Sequence, residues 1–279
     1  MKFEKMHAAN NDYIYINLFE EQVENPAELS RELSDRHSGV GSDGIVLIGP
    51  AGEGDFSMRM FNADGSESEM CGNAARCVGK YLYERGLTRE KKIDLWTLSG
   101  VKPLLLMVNP LTGKVDRVRV DMGEAMFAGN DSVRSQVILP RMVDYPLRVD
   151  ERFYSLTFVS MGNPHAVIFT NDIDQLEIEK IGPMIEFNPL FPERTNVEFI
   201  EVIDEAHIKM RVWERGSGET MACGSGACAA VVAGIVTKRC GTKVSVQLKG
   251  GVLEVEWDQP GNRVFLTGDA HFVFKGEVV

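Results

Sequence analysis

Residues 227–236 read Ala-Cys-Ala-Ala-Val-Val-Ala-Gly-Ile-Val. A helix built from them is apolar on every side, so it can exist only where the rest of a domain surrounds it. The stretch follows a Cys-Gly pair, Cys223-Gly224, and the chain holds a second such opening at Cys71-Gly72 before another helical composition. Helices are therefore expected over Cys71–Glu84, closing at Gly86 as the residue past the C-cap, and over Cys223–Lys238. Met70-Cys71-Gly72-Asn73 parallels Ala222-Cys223-Gly224-Ser225 at an offset of 223 − 71 = 152 residues. A looser parallel sets Met6-His7-Ala8-Ala9-Asn10-Asn11 against Met161-Gly162-Asn163-Pro164-His165, at 161 − 6 = 155. Each match is weak alone, and the near agreement of the offsets implies two similar halves of ordinary domain size. No short repeat period is present.

Between the two helices the pattern is mixed α/β. Alternating or β-branched runs predict strands at Tyr13–Leu18, Gly44–Ile48, Phe56–Asn62, Ile93–Leu98, Leu104–Val108 and Val115–Met122. In the second half they fall at Phe158–Ser160, Ala166–Phe169, Val197–Val202, His207–Trp213, Val244–Leu248, Val252–Trp257 and His271–Phe274. Gly250-Gly251 is expected to turn a hairpin. Pro26–Arg36 reads as a helix with Asn25 as N-cap and Pro26 in its first turn. Asp172–Ile181 reads as a helix stopped by Gly182-Pro183. Glu124–Asp131 and Leu139–Leu147 are loop-like, which places the end of the first half near Met122–Glu124.

The 279 residues are 44% hydrophobic and 25% charged, as in a globular protein with a real core. No apolar run reaches the eighteen residues of a membrane span, and the start of the chain lacks a secretory stretch, so a cytoplasmic protein is expected. The net charge of −11 argues against nucleic acid as a partner. Five cysteines, an odd count, do not suggest a disulfide framework.

Cysteine at a helix start carries chemistry. The unpaired N–H groups and the positive end of the helix dipole lower a thiol pKa. The following glycine lets a ligand approach the backbone, whose N–H groups can hold a carboxylate. Two such ends offer one thiol as base and another as acid, which inversion of a carbon centre by proton transfer requires. Donors on the α-carboxylate stabilise the charge that develops. The scheme needs no metal, and no pyridoxal lysine motif is identified. The spacings C-x5-C and C-x4-C lack the C-x2-C knuckle of structural zinc. Cys77, Cys228 and Cys240 read as buried hydrophobes. A Cys-His peptidase would use one nucleophile and leave the repeat unexplained. Ahead of Cys223 lies Glu214-Arg215-Gly216-Ser217-Gly218-Glu219-Thr220. Arg215 can clamp a carboxylate with its fork, and Glu214 can orient a thiol or bind an ammonium group. Asn11, Asn62, Asn163 and Asn196 sit in loop contexts, and His7 and His165 in the two repeat-start loops.

These blocks resemble the diaminopimelate epimerase family. The resemblance runs through Phe61-Asn62-Ala63-Asp64-Gly65-Ser66, Cys71-Gly72-Asn73-Ala74-Ala75-Arg76-Cys77, Met161-Gly162-Asn163-Pro164-His165 and Phe191-Pro192-Glu193-Arg194-Thr195-Asn196. It is strongest from Glu214 to Ala230, and the blocks span about residues 3–270 in order. It implies an α/β (α+β) fold of two pseudo-symmetric halves, each a strongly curved sheet around a central helix, with the active site in the cleft between them. It assigns residues 1–123 with 267–279 to one half and 124–266 to the other. It implies a cofactor-independent, metal-free homodimer acting on a small amino acid, LL- or meso-diaminopimelate, with no membrane partner. Carried over, Cys71 and Cys223 are base and acid, and His165 and Glu214 support them. Gly72, Asn73, Gly224 and Ser225 hold the α-carboxylate, while Asn11, Asn62, Asn163, Asn196 and Arg215 hold the distal end. One departure stands out. The family pattern His-Gly-x-Gly-Asn-Asp is here His7-Ala8-Ala9-Asn10-Asn11-Asp12, which is costly at Ala8 only if that position needs positive φ.

Overall fold

A computed structural model describes residues 1–127 and 142–278 of the chain. The chain divides into two compact units, Met1–Asp121 with Thr267–Val279, and Met122–Leu266. The first unit opens with β1 (Lys2–Ala8) and β2 (Asn11–Asn17), paired antiparallel. Helix α1 (Pro26–Ser34) then crosses to β3 (Gly44–Gly49), parallel to β2. Strands β4 (Phe56–Asn62) and β5 (Glu67–Ser68) follow antiparallel and lead into helix α2 (Gly72–Glu84). Beyond it, β6 (Lys92–Thr97) lies parallel to β4 and begins the antiparallel run β6, β7 (Gly100–Val108), β8 (Val115–Gly123).

The second unit repeats this order. Strands β9 (Tyr145–Val149), β10 (Arg152–Ser160) and β11 (Pro164–Phe169) pair antiparallel in sequence. Helix α3 (Ile178–Glu186) crosses to β12 (Asn196–Asp204), parallel to β11. Then come β13 (His207–Glu214), β14 (Gly218–Thr220) and helix α4 (Gly224–Val236). Strand β15 (Lys243–Leu248) is parallel to β13, as β6 is to β4, and β16 (Gly251–Asp258) is antiparallel to it. After β17 (Arg263–Gly268), β18 (His271–Glu277) pairs with β1 in the first unit.

The repeat is nearly residue for residue. Both long helices have 13 residues, and 224 − 72 and 236 − 84 both give 152. The short helices, nine residues each, start at 26 and 178, again 152 apart. At that spacing Asn11 corresponds to Asn163. The looser parallel at 155 is therefore out of register with the fold, because shared composition had aligned Met6 with Met161.

Helix α4 is buried without a break from Gly226 to Gly234, as its apolar surface demands. Helix α2 closes at Gly86, with φ 75°, and its N–H bonds Tyr83 O while that of Leu87 bonds Leu82 O. This is the Schellman arrangement. Helix α4 closes the same way, with Arg239 N–H on Gly234 O, but the left-handed position is Lys238 at φ 59°. The helix thus ends at Val236, short of the expected Lys238. Lys238 is exposed, so Lys238→Gly relieves backbone strain without loss of packing. It should stabilise the protein by about 1 kcal/mol, read as a higher denaturant midpoint, and an unchanged or lower midpoint would contradict this.

Other boundaries differ from expectation for identifiable reasons. Helix α1 stops at Ser34 because the Asp35 carboxylate takes the N–H groups of His37 and Ser38. The helix expected over Asp172–Ile181 instead runs from Ile178 to Glu186, through Gly182 and Pro183. Gly182 is a packing position and not a stop, since a Cβ there would lie 2.5 Å from the Trp213 ring. The loop expected over Leu139–Leu147 lies partly outside the described residues, and its end from Tyr145 belongs to β9, where Leu147 and Val149 point inward. The loop expected over Glu124–Asp131 is described only to Phe127. The β15–β16 turn is Lys249-Gly250, one residue before the expected pair, with Leu248 paired to Gly251. Strand β1 escaped prediction because Lys2, Glu4 and Lys5 interrupt the apolar alternation of Phe3, Met6 and Ala8. In the His7–Asp12 loop, positive φ falls on Ala9 (52°) and Asn10 (61°), as a two-residue hairpin turn needs, while Ala8 remains in the strand.

Candidate active site

Each unit builds half of the expected constellation. In the first, Cys71 is the N-cap of α2, with extended backbone and no cap bond from its side chain. Its thiol lies 3.6 Å from Asn11 Oδ1, which also accepts from Asn73 Nδ2 at 3.2 Å. Asn11 Nδ2 donates to Asp43 Oδ2 at 2.8 Å. Arg76, one turn into the helix and fully buried, donates to Asn73 Oδ1 at 2.8 Å, Gly72 O at 3.2 Å and Asp269 O at 3.1 Å. Arginine can only donate and a carboxylate can only accept, so Arg76 at one end and Asp43 at the other fix how both amides point. Asn62, at the end of β4, bonds Ser66 Oγ at 3.0 Å and stands outside this chain of contacts.

In the second unit Cys223 caps α4 and is buried. Its sulfur accepts the Gly226 N–H at 3.4 Å and lies 3.5 Å from Ser225 Oγ. Asn163 Nδ2 donates to Ser225 Oγ at 3.3 Å, and Asn163 Oδ1 lies 3.0 Å from His165 Nε2. Asn11–Asn73 and Asn163–Ser225 are thus the same loop-to-helix contact, one in each unit. Glu214, at the end of β13, accepts from Thr220 Oγ1. Burial raises its carboxyl pKa. Burial, and then the carboxylates of Glu214 and Glu198, push the Cys223 thiol well above its ordinary value. Asn196 holds loop geometry, with Oδ1 taking the Arg215 N–H at 2.9 Å and Nδ2 on Pro164 O at 2.9 Å. The exposed Arg215 guanidinium bonds Glu193 O at 3.1 Å.

All five cysteines are thiols. Cys77 and Cys228 are buried completely, and burial pushes Cys77 up to about 12 and Cys240 to about 11. Cys77 and Cys228 are thus core groups, whereas Cys240 is only half-buried, against the expectation of a buried hydrophobe. Among the described residues no group of three or more His, Cys, Asp and Glu is arranged around a metal position, and no helix is long and apolar enough to cross a membrane. Sequence reasoning missed Arg76, Asp43 and Glu198. The available signal was a lone charge at an inward position: Arg76 among small apolar helix residues, and Glu198 between Val197 and Phe199 in a strand.

The fold is that of amino acid epimerases and their relatives. A hydroxyproline epimerase from Agrobacterium vitis superposes with a TM-score of 0.71 at 13% identity, covering all of this chain and 90% of its own. A phenazine biosynthesis protein of the PhzF family from Bacillus anthracis does so with 0.70 at 18%, covering 100% and 99%. The profile of the diaminopimelate epimerase family matches residues 3–128 and 157–273. A diaminopimelate epimerase from Acetivibrio thermocellus is 53% identical over 279 residues, covering all of this chain and 98% of the relative. One from Methanococcus maripaludis is 48% identical over 278 residues, covering 100% and 99%. The chain belongs to the diaminopimelate epimerase family and is an isomerase.

Proposed function

We propose that the chain interconverts LL- and meso-2,6-diaminopimelate by proton transfer between two thiols and the α-carbon, with no cofactor. One observation carries this: two 13-residue helices in equivalent places, each capped by a cysteine and opened by glycine. Inversion needs a base on one face of the carbon and an acid on the other, and Cys71 and Cys223 are the pair that the repeat supplies. The thiolate takes the α-proton, the C–H electron pair moves toward the α-carboxylate, and the opposite thiol returns a proton to the other face. Base and acid have then exchanged states, and solvent protons reset them. The N–H groups of Gly72, Asn73, Gly224 and Ser225 hold the carboxylate where charge develops. Asn11, Asn62, Asn163, Asn196 and Arg215 bind the distal amino acid end. A site with polar groups committed to that end rejects substrates lacking it. In this reading the enzyme is a cytoplasmic homodimer supplying lysine and peptidoglycan synthesis.

After burial, Glu214 bears most on the Cys223 thiol. Its charge opposes ionisation of the sulfur, so Glu214→Gln lowers the thiol pKa and raises the thiolate fraction at any pH below it. Alkylation of Cys223 at pH 8, followed by mass spectrometry in a Cys71→Ala background, should accelerate. An unchanged or slower rate would show that Glu214 does not act on the sulfur.

The reading as a whole is tested by incubating reduced enzyme with LL-diaminopimelate in deuterated water. Loss of the α-proton signal with formation of the meso isomer supports it. Exchange confined to another amino acid keeps the chemistry and reassigns the substrate, and exchange with none refutes the reading.

A further inference from the structure

Glu198 is a completely buried carboxylate of the second unit. It lies on β12, paired to Val167 and Val212, and has no exposed surface. Its Oε1 is 2.7 Å from His165 Nδ1, and His165 is also completely buried. The first turn of α4 rests on the same carboxylate, since a Cβ on Gly226 would lie 2.6 Å from Oε1. Among the described residues no donor reaches Oε2. A carboxylate buried with one oxygen unpaired is a standing cost to the fold, and an apolar residue would pack there without it. What the carboxylate does for its neighbours is legible in the hydrogen bonds. A carboxylate only accepts, so His165 Nδ1 carries a hydrogen. With the Asn163 amide placed so that Nδ2 meets Ser225 and the accepting Oδ1 faces His165 Nε2, a hydrogen on Nε2 completes the contact. A ring that carries both hydrogens completes both contacts, with Glu198 balancing its charge. With Oδ1 facing the ring, Asn163 donates to Ser225 Oγ, and that hydroxyl lies 3.5 Å from Cys223 Sγ.

We propose that Glu198 is a positioning residue for the Cys223 half of the reaction, holding His165 as an imidazolium and thereby holding Asn163 and Ser225 in place beside the Cys223 sulfur. The inference rests on the two-thiol reading above. The first unit has no such device: Tyr13 and Val46 occupy the places of His165 and Glu198 at the 152-residue spacing. There the polarity is set instead by Arg76 and Asp43.

The test begins with the substrate-free wild-type protein labelled with 15N-histidine, in which long-range 1H–15N correlation reports each ring nitrogen. His165 should show both nitrogens protonated at pH 7.5. In Glu198→Gln, which keeps the shape and the Nδ1 bond but not the charge, it should show a neutral ring with hydrogen on Nδ1 only. Turnover of Glu198→Gln should fall about 10- to 100-fold in kcat with KM within about twofold. Glu198→Asp retains the charge, and should keep the doubly protonated ring and recover part of kcat. In a His165→Gln background Glu198→Gln should cost nothing further, because the two act in series. A neutral His165 in the wild type, an imidazolium that survives Glu198→Gln, or losses that multiply in the double variant would each overturn the proposal. The ring spectra need no substrate. A wild-type enzyme that leaves diaminopimelate untouched but shows the imidazolium would fail the functional reading and uphold the Glu198–His165 pair.

Discussion

Cys71→Ala and Cys223→Ala should each lower epimerisation of diaminopimelate by at least about a thousandfold, within the range expected for removal of a positioned acid or base. The two losses should be equal in scale, because inversion uses one thiol to remove the proton and the other to replace it in either direction. A variant lacking one thiol keeps the N–H groups of both helix starts, so it still binds substrate, and the loss should fall on kcat. Stability separates the two variants where activity does not. The Cys71 side chain makes no cap bond, whereas the Cys223 sulfur accepts the Gly226 N–H. Cys223→Ala should therefore cost about 1 kcal/mol that Cys71→Ala does not. Cys77→Ala removes a buried thiol that faces the core and should leave kcat intact while lowering the melting temperature. Measured by α-proton exchange and by product formation together, full activity in either of the first two variants would sink the two-thiol mechanism.

The sequence made the paired helices readable because their signals are local. The all-apolar run Ala227–Val236, the Cys-Gly openings and the closing Gly86 need no knowledge of the rest of the chain. The two thiols stood out as candidates for the same reason, while Gly72, Asn73, Gly224 and Ser225 came in as carboxylate holders through the family resemblance. Asn11 and Asn163 were visible only as loop residues. Their shared task of bridging loop to helix start emerges when β1–β2 and β10–β11 are laid on one another. What escaped was set by tertiary context. Gly182-Pro183 is a stop signal in any isolated helix, yet α3 runs through it because Trp213 needs the space that a side chain would fill. Glu198 and Arg76 are charges in apolar surroundings, and sequence alone does not distinguish a buried charge from an outward-facing one. Their partners, His165 and Asp269, lie 33 and 193 residues away along the chain.

Arg76→Ala should destabilise the protein by about 3–5 kcal/mol, the range for breaking a buried, hydrogen-bonded charged group. The side chain is fully buried, and its three nitrogens answer Gly72 O, Asn73 Oδ1 and Asp269 O. Truncation leaves Asn73 Oδ1 without its buried donor, removes the side-chain bonds to Gly72 O and Asp269 O, and opens a cavity beside them. Arg76→Met tells the two contributions apart, because methionine refills much of the volume and supplies no donor. If packing dominated, Arg76→Met would restore most of the denaturant midpoint. If the hydrogen bonds dominate, as three bonds from one buried side chain imply, it should restore less than half. Lysine cannot substitute either, since one ammonium does not span the positions that the planar fork reaches. A loss below about 1 kcal/mol for Arg76→Ala would mean that Asn73 Oδ1 finds another donor, contrary to the cost of leaving it buried and unpaired. Activity should suffer beyond stability. Without Arg76 the Asn73 amide is held from the Asn11 side alone, where Asp43 still orients Asn11, so the contact beside Cys71 is loosened. Folded Arg76→Met enzyme, assayed well below its melting temperature, should therefore turn over more slowly than wild type, and the same kcat would separate the buried arginine from the thiol chemistry.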